Sequence, residues 1–154
     1  MRVRELAEPC TFIDPREPLT AAADLLADQR LPALLIQGAR GRPTGMLSAG
    51  QLIGACLPSY VALDPLLARV VDEAHADQLR VVPGRVVADC RAAGRARPPS
   101  IAVDRTVMEL AEVMARTDAP LVVVTEPGAD GDARPVGAVT AARLLASLRQ
   151  GPLR

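Results

Sequence analysis

Two hydroxyl residues, Ser48 and Thr140, each come directly after a short apolar run and before a stretch with helical character. Gln51 and Arg143 follow them three residues later. A hydroxyl in this place either caps the helix or contacts a ligand, and an arginine at a helix start is suited to bind a phosphate. The alternative is a structural role, in which both hydroxyls are N-caps and Arg143 is a solvated helix residue.

The other reactive side chains do not form a catalytic or metal-binding pattern. Residues 45–50 have one residue too many for the G-x-S-x-G turn of a serine hydrolase, and the only histidine, His75, has no paired nucleophile. Cys10, Cys56 and Cys90 are far apart and outside any C-x-x-C motif, which indicates free thiols in a reducing compartment. We therefore predict a protein that is not an enzyme, with no catalytic and no metal-binding residues.

Composition narrows the class of protein further. The chain has 154 residues, of which 49% are hydrophobic, so it can bury a core. Its formal net charge of zero argues against a general affinity for nucleic acid or anionic membranes. The sequence contains neither an apolar run long enough to span a bilayer nor a signal-peptide pattern. We expect a cytoplasmic protein without membrane insertion.

The chain repeats one series of segments in the same order. Pro32 and Pro120 are 88 residues apart, and Gly45 and Gly137 are 92 residues apart. The change in offset falls in a connection that contains glycine in both copies, where a loop tolerates a change in length. The sequence is therefore an internal duplication.

Each copy has the signals of the same five elements. Leu19, Ala22, Ala23, Leu25 and Leu26 have the spacing of an amphipathic helix, and the second copy has a similar run. Short apolar runs then predict buried strands at residues 34–36 and 121–124, followed by strands from Gly45 and Gly137 and by the capped helices. Each unit is predicted as strand, helix, strand, strand, helix. Because so small a unit cannot bury both faces of its sheet, the two should pack as one α/β (α+β) domain with a pseudo-two-fold axis.

This ordered duplication resembles a pair of CBS domains, the tandem arrangement called a Bateman module. The residues that carry the resemblance are the helices beginning at Leu19 and Val107, the strand entries Leu31-Pro32 and Ala119-Pro120, the glycine-to-hydroxyl runs 45–48 and 137–140, and the leaders 3–6 and 87–90. The resemblance implies a first CBS unit in residues 1–57, a connecting segment in 58–86, a second unit in 87–150 and a tail in 151–154.

The connecting segment has a helix signal of its own. Asp64 is a predicted N-cap, Pro65 fits the first turn, and the apolar positions that follow are Leu66, Leu67, Val70, Val71 and Ala74. This helix either joins the halves and covers an open edge, or provides a partner site or a lid with Tyr60 as an anchor.

The resemblance also implies a function. Modules of this family typically bind adenosine nucleotides in two clefts between the repeats and signal to a transporter, channel or enzyme. Each cleft uses an apolar residue beside the strand proline, a hydroxyl, an aspartate for the ribose three residues later, and the first strand of the other repeat. In this sequence one cleft would comprise Leu31, Pro32, Ser48 and Gln51 with Ser100, and the second Ala119, Pro120, Thr140 and Arg143 with Phe12.

Gln51 and Arg143 stand where the family has its ribose aspartate. Glutamine offers a weaker acceptor than a carboxylate and arginine offers none. Two hypotheses follow: a regulatory module that binds AMP, ADP or ATP without another cofactor, and a structural dimerisation or scaffold module that has lost ligand binding. The resemblance implies association through helix faces, as is common for CBS pairs, and the alanine-rich second helices, including Ala141, Ala142 and Ala146, allow close approach. We therefore predict a two-fold homodimer.

Overall fold

The computed structural model describes residues 1–70, 79–81, 83–93 and 97–151. The first unit contains β1 (Phe12–Ile13), α1 (Leu19–Asp28), β2 (Ala33–Gln37), β3 (Pro43–Ser48) and α2 (Ala49–Cys56). A short helix, α3 (Ser59–Leu63), follows. The second unit contains β4 (Ser100–Ala102), α4 (Val107–Thr117), β5 (Leu121–Pro127), β6 (Ala133–Thr140) and α5 (Ala141–Gln150). The predicted order of elements and the mixed α/β class are confirmed in both units.

Each unit has a three-stranded sheet in which the middle strand is parallel to one neighbour and antiparallel to the other. β2 pairs with β1 in parallel and with β3 in antiparallel orientation, and β5 repeats this arrangement with β4 and β6. The register with the antiparallel neighbour shifts after Ile36 in β2 and after Val124 in β5, which are corresponding positions of the two copies. The duplication therefore extends to the irregularities of the strands.

The middle strands are buried on both faces, which explains their continuous apolar runs. Because successive side chains of a strand point to opposite faces, Leu34 packs in the helix-side core of its own unit, whereas Leu35 packs between the two sheets. In the second unit, Val122 likewise packs in the helix-side core and Val123 packs between the two sheets. The core between the sheets contains Ala33, Leu35, Leu121, Val123 and Ala138. This shared core joins the two units into one packed body.

The two leaders are exchanged between the units. Each forms a short 3-10 helix, at Val3–Glu5 and at Val87–Ala93. Val3, at the start of the chain, is buried in the core of the second unit, and its N–H donates to the carbonyl oxygen of Arg105 at 2.9 Å. Val87 is buried in the core of the first unit, and its N–H donates to the carbonyl oxygen of Glu17 at 2.9 Å. The core of each unit therefore includes a residue from the other copy's leader.

The connecting segment differs from the expected α-helix. The Asp64 carboxylate accepts a hydrogen bond from the Leu66 N–H at 3.1 Å, as an N-cap does, but Pro65–Arg69 forms a 3-10 helix. Leu66 and Val70 are 67% and 74% exposed, so this part of the predicted apolar stripe does not complete a core. The rest of the predicted helix, His75 and tail residues 152–154 lie outside the described residues.

Candidate ligand-binding site

A small cavity lies where the first leader crosses from the second unit to the first. Its walls are residues 8–11 of the crossing, residues 31–33 and 35 of the first unit, and Leu121, Ala138 and Thr140 of the second unit. The cavity measures about 50 Å³, which is room for a few atoms, whereas drug-sized ligands occupy pockets of roughly 300 to 1,000 Å³. A ligand with a whole nucleoside would therefore have to widen the cavity or remain partly outside it.

The local sequence explains why Leu31 and Pro32 reach this place. Helix α1 ends before Arg30, whose φ of 51° is left-handed and turns the chain back toward the sheet. Pro32 then precedes β2, and its carbonyl oxygen accepts a hydrogen bond from the Ala49 N–H at the start of α2, at 3.2 Å. The second unit repeats this bond, from the Ala141 N–H to the Pro120 carbonyl oxygen at 3.0 Å.

Ser48 and Gln51 bond to each other at the start of α2. The Ser48 Oγ accepts from the Gln51 N–H at 3.1 Å, and the Gln51 Oε1 accepts from the Ser48 N–H at 2.9 Å. This reciprocal arrangement is a capping box, which satisfies two amide groups that the helix itself leaves unpaired. The Gln51 amide oxygen is thus already engaged by the backbone.

Thr140 and Arg143 have a related but more open arrangement at the start of α5. The Thr140 Oγ1 accepts from the Arg143 N–H at 3.2 Å, so it caps the helix. The Arg143 side chain extends toward the crossing leader, where its Nε lies 3.6 Å from the Oε1 of Glu8. Thr140 borders the cavity, whereas Arg143 borders a neighbouring surface groove between α5 and the leader.

The remaining predicted site residues lie elsewhere. Phe12 pairs with Leu35 and packs against the core between the sheets. Ser100 pairs with Val123 and is exposed on β4, while Ala119 and Pro120 are half-buried before β5. Of the ten residues assigned to the two clefts, the cavity is bordered by Leu31 and Pro32 from one and Thr140 from the other.

The crossing residues Glu8, Pro9, Cys10 and Thr11 were not predicted to bind a ligand. They precede β1, and only the exchange of the leaders brings them against β6 of the second unit. The one signal in the sequence that could have identified them is their place just before the first strand, because the resemblance implied that the first strand of one repeat forms a wall of a cleft. Partial burial raises the pKa of the Cys10 thiol, so the thiol is protonated near neutral pH.

Two further observations concern metals and membranes. Among the described residues, no three or more histidine, cysteine or acidic side chains are grouped closely enough to bind a metal ion. Within the same ranges, every helix is too short or too polar to cross a membrane.

Solved structures with the same architecture cover almost the whole chain. A CBS domain-containing protein of unknown function from Kribbella flavida is 36% identical, covering 96% of this chain and 99% of its own, with a TM-score of 0.72. CBSX2 from Arabidopsis thaliana, in a complex with AMP, is 17% identical, with 97% and 96% covered and a TM-score of 0.64. The CBS domain pair of protein MJ0100, in complex with 5′-methylthioadenosine and S-adenosyl-L-methionine, is 16% identical, with 98% and 97% covered and a TM-score of 0.64. No family model and no curated protein matches the chain.

Proposed function

The chain belongs to the family of CBS domain-containing proteins, as a tandem CBS pair or Bateman module, and on this basis we propose that it is a non-enzymatic regulatory module for an adenosine ligand. The observation that carries the proposal is the cavity between the leader crossing, the first unit and the second unit. A ligand there contacts both repeats, so its binding energy can change how they pack. In this proposal the CBS units span residues 1–57 and 87–150, joined by segment 58–86.

The chemistry of the cavity walls suits part of a nucleoside. Leu31, Pro32 and Leu121 provide apolar surface for a purine, and Thr11 and Thr140 provide hydroxyl groups. The AMP, methylthioadenosine and S-adenosylmethionine complexes of two structural neighbours support the same ligand class. We propose AMP, ADP, ATP or another adenosyl compound as the ligand. The receiver of the signal would be a transporter, channel or enzyme in the cytoplasm, where the three free thiols would stay reduced.

Ligand binding is testable through Cys10, because this half-buried thiol borders the cavity. We expect a saturating adenosyl ligand to slow alkylation of Cys10 severalfold, since the ligand covers the sulfur. Cys56 and Cys90 are internal references, because they pack against the helix-side core of the first unit. Timed alkylation followed by peptide mass spectrometry measures all three rates in one sample.

Calorimetry with AMP, ADP, ATP, methylthioadenosine and S-adenosylmethionine provides the independent measurement. A ligand at about 100 times its dissociation constant should also stabilise the protein by roughly 2.7 kcal/mol. Baseline heats and unchanged Cys10 rates with all five compounds would contradict the sensor proposal.

A dimerisation or scaffold module is the second candidate, favoured by the exposed faces of the second helices. Ile53 in α2 and Leu145 in α5 occupy corresponding positions of the two repeats and are 58% and 61% exposed. Leu148, one turn further along α5, is also exposed. Repetition of an exposed large apolar residue on the same face of both units is expected if that face is covered by another subunit. We propose a two-fold homodimer through α2 and α5.

The homodimer predicts a specific effect of charge on these helices. The double variant Ile53→Glu with Leu145→Glu should be monomeric at high micromolar concentration, because two carboxylates would be buried without partners on each side. Light scattering or sedimentation measures the mass. Met108→Glu, at a 79% exposed position of α4, is the matched control and should leave the mass unchanged. A monomeric parent protein, or a double variant that still dimerises, would rule out this interface.

A further inference from the structure

Glu8 is held at the edge of the cavity by the backbone of β6. Its N–H donates to the Ala138 carbonyl oxygen at 2.9 Å, and its own carbonyl oxygen accepts from the Ala138 N–H at 2.8 Å. This approach depends on Gly137, because a Cβ there would lie 2.8 Å from the Glu8 carbonyl oxygen. The position of the Glu8 backbone is therefore set by main-chain bonds to the second unit.

The Glu8 carboxylate stands beside the first turn of α5. Its Oε1 lies 3.6 Å from the Arg143 Nε, and the two side chains are 52% and 47% exposed. This distance is short enough for an ion pair but too long for a hydrogen bond. An ion pair between two exposed side chains contributes little to stability. Among the described residues no hydrogen bond to the carboxylate is found, so a ligand hydroxyl that bonds to it would compete only with the 3.6 Å ion pair to Arg143.

Of the described residues that border the cavity, Glu8 is the one with a carboxylate. The vicinal hydroxyls of a ribose are two adjacent donors, and a carboxylate accepts two hydrogen bonds side by side. The two hydroxyls of the cavity wall are less suitable, because each is a single neutral group with a partner in the protein. The Thr140 Oγ1 accepts from the Arg143 N–H, and the Thr11 Oγ1 lies 3.5 Å from the Gln29 Oε1.

Resting on the proposed adenosine ligand, we propose that Glu8 determines specificity for ribose by accepting hydrogen bonds from its 2′- and 3′-hydroxyls. The crossing that follows the first leader then provides the acceptor, on the wall formed with the second unit. Because the leader just before it is packed in the core of the second unit, a ribose held by Glu8 couples ligand binding to the contact between the repeats.

The test compares AMP with 2′-deoxy-AMP by calorimetry, in the parent protein and in Glu8→Gln. We expect the parent to bind AMP roughly tenfold or more tightly than 2′-deoxy-AMP, as for a hydrogen bond to a charged group. In Glu8→Gln the AMP affinity should fall by a similar factor, and the preference for AMP should largely disappear. Comparing two ligands within one variant cancels any difference in folded fraction.

Glu112→Gln is the matched control. Glu112 is also exposed and paired with an arginine, with its Oε1 2.8 Å from the Arg116 Nε, but it is on α4 and does not border the cavity. This variant should bind both nucleotides like the parent. AMP binding with an undiminished ribose preference in Glu8→Gln would overturn the role of Glu8 while leaving the sensor proposal intact. Absence of binding to the parent by AMP and by the other four adenosyl compounds would overturn both.

Discussion

Leu35→Ala is expected to lower the free energy of unfolding of the whole protein by about 2 to 5 kcal/mol, the range for deletion of a buried leucine side chain. Leu35 is 1% exposed and packs in the core between the two sheets, together with Leu121 and Val123 of the second unit. A cavity there weakens the packing of both units. Because domains of this size have only about 5 to 15 kcal/mol of stability in total, the loss is large.

Chemical denaturation at one fixed protein concentration, followed by circular dichroism, measures this loss. We expect one cooperative transition in the parent and in the variant, because the units share a core and exchange leaders. Leu63→Ala is the control: Leu63 is 87% exposed on α3, and its truncation should change stability by less than about 0.5 kcal/mol. Two separate transitions, with only one displaced in Leu35→Ala, would contradict the shared-core interpretation.

Gly137→Ala is expected to destabilise the protein by about 1 to 3 kcal/mol, as overpacking of a close contact does. A Cβ at this position would lie 2.8 Å from the Glu8 carbonyl oxygen and 3.2 Å from the Ala7 Cβ. The Glu8 carbonyl oxygen is hydrogen-bonded to the Ala138 N–H, so it cannot move away without disturbing the two main-chain hydrogen bonds that hold the crossing on β6. Differential scanning calorimetry or denaturant titration gives the change.

Gly45→Ala is the matched control, because Gly45 is the corresponding glycine of the first copy. A Cβ there would meet only the Ile36 Cδ1 at 3.5 Å, an ordinary contact. Its stability should be unchanged or raised by up to about 1 kcal/mol, since alanine has less freedom than glycine in the unfolded chain. Equal losses of stability in the two variants would mean that the close contact with the crossing does not explain the need for glycine at position 137.

Gly137→Ala also connects the fold to the proposed function. The same crossing that the variant disturbs carries Glu8 and Cys10 along the cavity wall. A ligand that contacts this segment would oppose its displacement, and by linkage would stabilise the packing of the leader against the second unit. The leader is therefore the element through which a ligand in the cavity would affect both repeats.

Local signals in the sequence were sufficient for the strands and helices of the two units, but not for the connecting segment, where Pro65–Arg69 forms a 3-10 helix instead of the expected α-helix. Apolar periodicity predicted α1, and the continuous run 34–36 predicted a buried middle strand. The hydroxyls Ser48 and Thr140 predicted two helix starts, and both cap their helices through the amide three residues later. These features depend on neighbours within a few residues, so they can be read without knowledge of the tertiary structure. The repetition of the whole series then predicted the paired architecture.

The tertiary structure alone decided where the leaders pack. The sequence showed a leader before each copy, but nothing local distinguishes packing on its own unit from packing on the other. Val3 joins the second unit through a hydrogen bond to Arg105, about a hundred residues along the chain, and Val87 joins the first. Such pairings depend on which strand edges and core surfaces remain uncovered after both units have formed.

Long-range pairing also explains why the residues predicted for the site differ from those that border the cavity. The family resemblance assigned Leu31, Pro32 and Thr140 to ligand clefts, and that resemblance depends on local patterns, a strand entry beside a proline and a hydroxyl before a helix. Glu8 and Cys10 were not, since they have no motif and reach the cavity only through the exchange. Local sequence patterns therefore specify the two units and their helix caps, whereas long-range backbone pairing determines which residues of different units meet at the cavity.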